Sequence, residues 1–316
     1  MNMNKYKTAQ PIKNSKEKFE EWENMLVGKD THSIRNQIHN MIRDCAVFQC
    51  INESRKYGDK DDKGNIKRNG MVHDFITQSF FKTQLLSIRK LVDKDFNRVQ
   101  RNKPYTVYSL YNLIEDMKNN SALLTRKNIF AVLDLPYDYK EAETHFWQKV
   151  PKIGNSRGPV LGDPKIESSK DIHRRIDSMV GVVEDKRNPD DLIPNNILEQ
   201  FDDKLASIDE LCNYVDKFIA HSATPESRKV IPDEIEGALG KVLNAHKIIC
   251  ETASYLGNNL LFCGFGDFLS TSRCGQFDLF EYLDEPIASK ETIGKLREHW
   301  EKYRRETEQW NMWWYK

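Results

Sequence analysis

The 316-residue chain has no net charge, with 48 lysines and arginines against 48 aspartates and glutamates. A protein that coats DNA or RNA needs a basic excess over its whole surface, so that class is excluded and any nucleic-acid contact has to be local. Long apolar runs are missing as well. No window reaches the roughly 18 apolar residues of a membrane span. The opening MNMNKYKTAQPIKNSKEKFEEWENMLV lacks the apolar stretch of a signal peptide. The expectation is a cytoplasmic protein with no membrane contact. The six cysteines (Cys45, Cys50, Cys212, Cys250, Cys263 and Cys274) include no C-x-x-C pair and fall mostly in apolar helical patterns, which reads as reduced, structural thiols.

Several chemistries lack a sequence handle. There is no G-x-G-x-x-G and no G-x-x-x-x-G-K-[ST], which removes the usual dinucleotide and P-loop phosphate cradles. No G-x-S-x-G elbow supports a serine hydrolase. The eight histidines form no H-E-x-x-H, and none pairs with a cysteine at metal-ligand spacing, so neither a metal nor another cofactor is expected. Gly264-Phe265-Gly266-Asp267 reads as a turn, and no repeat of fixed period is present.

What is present is helical periodicity almost everywhere, with few alternating, strand-like runs, so the fold class is all-α. A first helix from a cap at Asn14 carries Phe19, Trp22 and Leu26 on one face, and a second carries Ile34, Ile38, Met41, Cys45 and Phe48. Residues 52–70 are charged and glycine-bearing and read as an exposed loop. A long helix over about 73–93 should place Phe75, Ser79, Phe80, Leu86 and Ile88 at buried or half-buried positions. Its end is basic: Arg89, Lys90, Lys94, Arg98, Arg101 and Lys103 face only Asp93 and Asp95 within 86–103, a local excess of four positive charges. Residues 151–168, with three prolines and three glycines, read as a loop or hinge and a candidate boundary. After a break at 187–194, Leu198, Phe201, Leu205, Ile208, Cys212, Val215 and Ile219 step by three and four as one helix. A final helix runs into Trp310, and the chain ends Trp313, Trp314, Tyr315, Lys316. That aromatic end is a candidate contact for a protein partner.

Two segments resemble a known family. Asn69-Gly-Met-Val-His-Asp-Phe-Ile, with Leu86-Ser-Ile-Arg-Lys-Leu-Val-Asp93 and the helix opening Ser109-Leu-Tyr-Asn-Leu-Ile, is similar to the core of HEPN-like proteins of the AbiU abortive-infection type. Tyr214-Val-Asp-Lys-Phe-Ile-Ala-His-Ser222 resembles the closing K-x-x-A-H portion of that family. The resemblance spans about residues 70–255. It implies a HEPN-like helical bundle over 70–255. Residues 1–69 would then add N-terminal helices and a charged loop, and 256–316 a C-terminal extension with an aromatic tail. It also implies a homodimer acting in antiviral defence or as a toxin, with metal-independent ribonuclease activity in the catalytic members.

The family hallmark is R-x(4–6)-H. A histidine exchanges a proton near neutral pH while a guanidinium holds the scissile phosphate, so a 2′-hydroxyl attacks without a metal. Here the positions before His221 that would carry arginine hold Tyr214, Val215 and Asp216, and the nearest cation is Lys217. The resemblance therefore implies a site of His221 and Lys217, with Arg89 as a guanidinium from a neighbouring helix. The local charge of the basic stretch makes Lys90, Lys94, Arg98 and Arg101 a candidate RNA-binding surface, with a solvated helix end as the other reading. Arg68 and His73, a literal R-x(4)-H, form an alternate site. Other readings stay open: His221 as a capping or packing residue, and a non-catalytic HEPN-like scaffold that binds a partner through Trp310, Trp313 or Trp314.

Overall fold

The computed structural model describes residues 15–54, 57, 59–65, 67, 69–94, 99–100, 103–104, 107–149, 162–220, 224–228, 238–268, 273–274, 277–278 and 293–310. Over these residues the class is all-α. The helices are α1 (Ser15–Val27), α2 (Ile34–Ser54), α3 (Gly70–Leu91), α4 (Leu110–Asn119), α5 (Arg126–Val132), α6 (Tyr139–Lys149) and α7 (Pro164–Val180). They are followed by α8 (Asn195–Ala206), α9 (Asp209–Tyr214), α10 (Pro225–Arg228), α11 (Ala238–Tyr255) and α12 (Ile293–Trp310). Two-residue antiparallel ladders, β1 (Val99–Gln100) with β2 (Lys103–Pro104) and β3 (Arg273–Cys274) with β4 (Phe277–Asp278), are the only named strands among the described residues.

Capping chemistry places the helix starts. The Asn69 side chain accepts the Val72 N–H at 3.1 Å, so α3 begins three residues earlier than expected. Ser109 Oγ accepts the Asn112 N–H and donates to the Asp93 carbonyl at 2.8 Å, which ties the end of α3 to the start of α4. Asp163 caps α7 with Pro164 in its first turn, and Gly181, at φ 74°, closes the helix in the left-handed conformation. The expected cap Asn14 lies outside the described residues.

One hydrophobic core joins α1 to α5, α7 to α9 and α11. It joins Trp22 and Leu26, Ile38 and Met41, Ile88 and Leu91, Leu113 and Met117, Phe130, Ile176, Leu198, Leu211 and Ile249. The divisions expected at 69/70 and 255/256 are therefore not breaks in packing. α1 and α2 share this core, and so do Leu256, Leu260 and Phe265; the first compact unit extends to Leu269. Nor does 151–168 separate domains, because Phe130 before it and Ile172 and Ile176 after it belong to the same core. The second compact unit, Ser270–Lys316, contains the β3–β4 ladder and α12.

Two sequence expectations change. Phe75 is 71% exposed rather than buried. The buried stripe of α3 runs through Phe80, Gln84, Ile88 and Leu91. Five residues before Phe80, at ~100° per residue, Phe75 points about 140° away from that stripe. The long helix expected over 198–219 is also divided. Ser207 Oγ donates back to the Lys204 carbonyl at 2.6 Å, Ile208 leaves helical geometry, and α9 restarts at Asp209. Leu205, Ile208, Leu211 and Val215 nevertheless all stay buried, which is why the spacing reads as one seam.

Residues 187–194 return to the start of α5 through backbone bonds: Arg126 N–H to the Asp191 carbonyl (2.9 Å), Lys127 N–H to Pro189 (2.8 Å) and Ile193 N–H to Leu124 (3.0 Å). At their centre the fully buried Arg126 guanidinium donates to Asp191 (2.8 and 3.0 Å), Asp177 (2.9 Å) and His173 Nδ1 (3.0 Å). Arg187 grips the other side of Asp177 at 2.6–3.1 Å. His173 Nε2 faces the Tyr137 carbonyl at 2.8 Å, which makes Nε2 the protonated nitrogen of a neutral ring. Two guanidiniums against two carboxylates balance the buried charge of this clasp.

Candidate functional site

The C-terminal end of α3 packs on α9 and on the turn that follows it. That turn, Val215–Ile219, is π-helical: the Ala220 N–H reaches back five residues to the Val215 carbonyl at 2.7 Å. Such turns insert one extra residue into a helix and recur at functional sites. Val215, at one of the positions where the hallmark would carry arginine, is fully buried in the core. The next residue, Asp216, faces outward to α3.

Arg89 crosses to this turn. Its Nε donates to Asp216 Oδ1 at 3.0 Å and its Nη1 lies 3.3 Å from Asp93 Oδ1. Burial works against the guanidinium charge, but the two carboxylates outweigh it and raise the pKa. Lys94 is held the same way. Its Nζ donates to Asp209 at 2.7 Å and sits 4.9 Å from the centre of the Tyr111 ring, and although burial opposes the charge, Asp209 raises the pKa. Burial pushes the neighbouring Cys212 thiol up to about 11, so it supplies no thiolate nucleophile at neutral pH. The basic end of α3 is thus not an uncompensated cationic surface over its described part. Besides the local Asp93, acidic partners come from residues 209 and 216, too far along the chain to enter a local charge count.

Lys217 is treated differently. Its Nζ donates to a neutral group, Ser227 Oγ, at 2.7 Å. Ser227 stands on α10, whose turn is closed by the Arg228 N–H bonding to the Thr224 carbonyl at 3.1 Å. Arg228 lies over the Phe218 ring at 5.5 Å, and Phe218 stacks on Tyr214 with centroids 4.7 Å apart. Among the described residues, neither Lys217 nor Arg228 has a carboxylate partner, and Arg228 Nε has no hydrogen-bond acceptor.

The sequence-predicted residues fall out unevenly. Arg89 and Lys217 are brought to the same turn, and Lys94 lies beside it, while Lys90 is exposed. His73 is in the first turn of α3, so at ~1.5 Å per residue it lies about 24 Å along the axis from Arg89 and belongs to no shared site with it. His221, Arg68, Arg98, Arg101, Trp313 and Trp314 lie outside the described residues, as does the side chain of Trp310. Ser227 and Arg228 carry no sequence signal, because the R-x(4–6)-H spacing places its cation upstream of His221. Among the described residues no group of three or more His, Cys, Asp or Glu side chains could hold a metal, and no helix is long and apolar enough to cross a membrane. No protein-family model matches the chain, and neither a curated protein nor a solved structure matches it.

Proposed function

We propose that this all-α protein is a HEPN-like, homodimeric defence or toxin protein that cleaves RNA at a site formed by Lys217, His221 and the guanidiniums nearest them. The observation that carries the reading is the delivery of Arg89 and Lys217 to one π-helical turn that leads directly into His221. In this reaction the ribose 2′-oxygen bonds to phosphorus while the bond from phosphorus to the 5′-oxygen breaks. A base removes the 2′-hydroxyl proton, an acid returns one to the leaving 5′-oxygen, and His221 takes one of these roles. The cations hold the phosphate and its growing negative charge. Purified protein is expected to cut a mixed single-stranded RNA pool, and His221→Ala should slow cleavage by about 10²–10⁴-fold, the usual worth of a positioned proton-transfer group. RNA left intact by the wild-type chain contradicts the proposal.

A second reading, a non-catalytic HEPN-like scaffold, is favoured by two observations. Arg89 is already committed to Asp93 and Asp216, and Val215 is sealed in the core. It expects His221→Ala with Arg89→Ala to leave function intact, and changes at Trp310, Trp313 or Trp314 to abolish it.

A further inference from the structure

We propose that Lys217, Ser227 and Arg228 form a binding site for a phosphate of single-stranded nucleic acid, with Phe218 and Tyr214 as the stacking surface beside it. The proposal rests on the reading above and deepens it, because it moves the phosphate-holding guanidinium from Arg89 to Arg228. Cations elsewhere around the α3–α9 contact are neutralised: Arg89 by Asp93 and Asp216, Lys94 by Asp209, and Lys241 by Glu210. Lys217 and Arg228 are not, and the same is true of Lys90, which stands exposed near the end of α3. Among the described residues Lys217 has the neutral Ser227 hydroxyl as its hydrogen-bond partner, and Arg228 lies over a ring face. A hydroxyl that accepts from Lys217 still has its own proton to donate to an anion.

Lys217 and Arg228, joined through the adjacent Ser227 and with no carboxylate partner among the described residues, leave a charge deficit that an oxyanion would fill. Asp216, the adjoining carboxylate, is turned to Arg89, which it shares with Asp93. Glu226 is exposed. The half-buried rings define which phosphate compound fits. Tyr214 stacks on Phe218 at an interplanar angle of 20°, and Arg228 lies over Phe218 at 5.5 Å from its centre. Aromatic faces beside cations are the combination that grips unpaired bases together with their backbone, without demanding a base sequence. Arg228 supplies a planar fork and Lys217 a point charge, so the two contribute orientation and attraction separately.

The test is fluorescence anisotropy of the full chain with a labelled single-stranded deoxyoligonucleotide, which presents the same phosphates but has no 2′-hydroxyl and so cannot be cut by this chemistry. Arg228→Gln and Lys217→Gln should each weaken binding about tenfold and lower the slope of log affinity against log salt by about 0.7, the value for one lost cation on a single strand. Ser227→Glu, which sets a carboxylate on Lys217, should weaken binding at least as much. Inorganic phosphate at constant ionic strength should compete poorly, because it cannot stack; full competition would assign the site to a free oxyanion and overturn the nucleic-acid assignment. Absence of binding by the wild-type chain, or an unchanged affinity and salt slope in Arg228→Gln, overturns the proposal. If the wild-type chain binds the oligonucleotide through Arg228 but leaves RNA uncut, the cleavage reading fails and this site stands. If it cuts RNA but Arg228→Gln changes neither binding nor salt slope, this site fails alone.

Discussion

Arg126→Met is expected to destabilise the protein by about 3–5 kcal/mol, enough to unfold much of it at moderate temperature. The methionine keeps the apolar stem but removes every donor to Asp191 except the Asn188 N–H, and leaves Asp177 to Arg187 alone. Asp191 is then a nearly buried carboxylate without a cation, and the segment 187–194 loses its anchor on α5. Chemical denaturation measures the loss. Replacing Asp191 by leucine in the same chain should recover part of it, since an apolar pair tolerates burial better than a lone charge. A cost below about 1 kcal/mol would show that the clasp adds little to stability.

Acidification gives the second large effect. His246 on α11 is buried (3% exposed), its Nε2 has no hydrogen-bond partner, and burial lowers its pKa to about 4 from the ordinary 6.5. The unfolded chain therefore binds a proton below 6.5 that the folded chain refuses until about pH 4. Stability is fully present above 6.5 and falls through that window, by about 3 kcal/mol from this residue at about 1.4 kcal/mol per pH unit. Burial also lowers His173, on which the nearby Arg187 and Arg126 act in the same sense, and His39, so both add to the same slope. Asp177 responds only further down. Burial raises its pKa, but Arg187 and Arg126 outweigh that and hold it below the ordinary carboxylate value, so its contribution disappears under about pH 3.8. Denaturation curves at pH 7 and pH 4.5 should differ by most of the His246 contribution, and His246→Leu should flatten the difference. An equal pH slope in that variant would rule out His246 as its source.

How far the residues announced this structure depends on whether the cause was local. Trp22, Ile38, Leu113 and Leu198 were legible as core because their three- and four-residue spacings are properties of single helices, and Ser109 was legible as a helix start because a cap acts within one turn. Phe75 was misplaced because apolar character shows which residues favour burial, not which face of α3 meets α2. The clasp escaped because Arg126, Asp177, Arg187 and Asp191 look like ordinary surface charges until 187–194 is laid against α5. The candidate site divides in the same way. Lys217 could be chosen from its position before His221, and Arg89 from the resemblance. Asp93 stands four residues from Arg89, but Asp216 and Asp209, the other partners of Arg89 and Lys94, lie more than a hundred residues away. Arg228 comes near Lys217 through the contact of its neighbour Ser227 with Lys217, which a ten-residue separation does not announce.

The most direct test of the account is the chemistry of the RNA ends after incubation with the purified chain in the presence of a chelator. Attack by the 2′-oxygen leaves a 2′,3′-cyclic phosphate on one fragment and a 5′-hydroxyl on the other. Those ends are expected, formed at the wild-type rate with the chelator present and lost in His221→Ala. Fragments with 5′-phosphates, cleavage abolished by the chelator, or RNA left whole would contradict it.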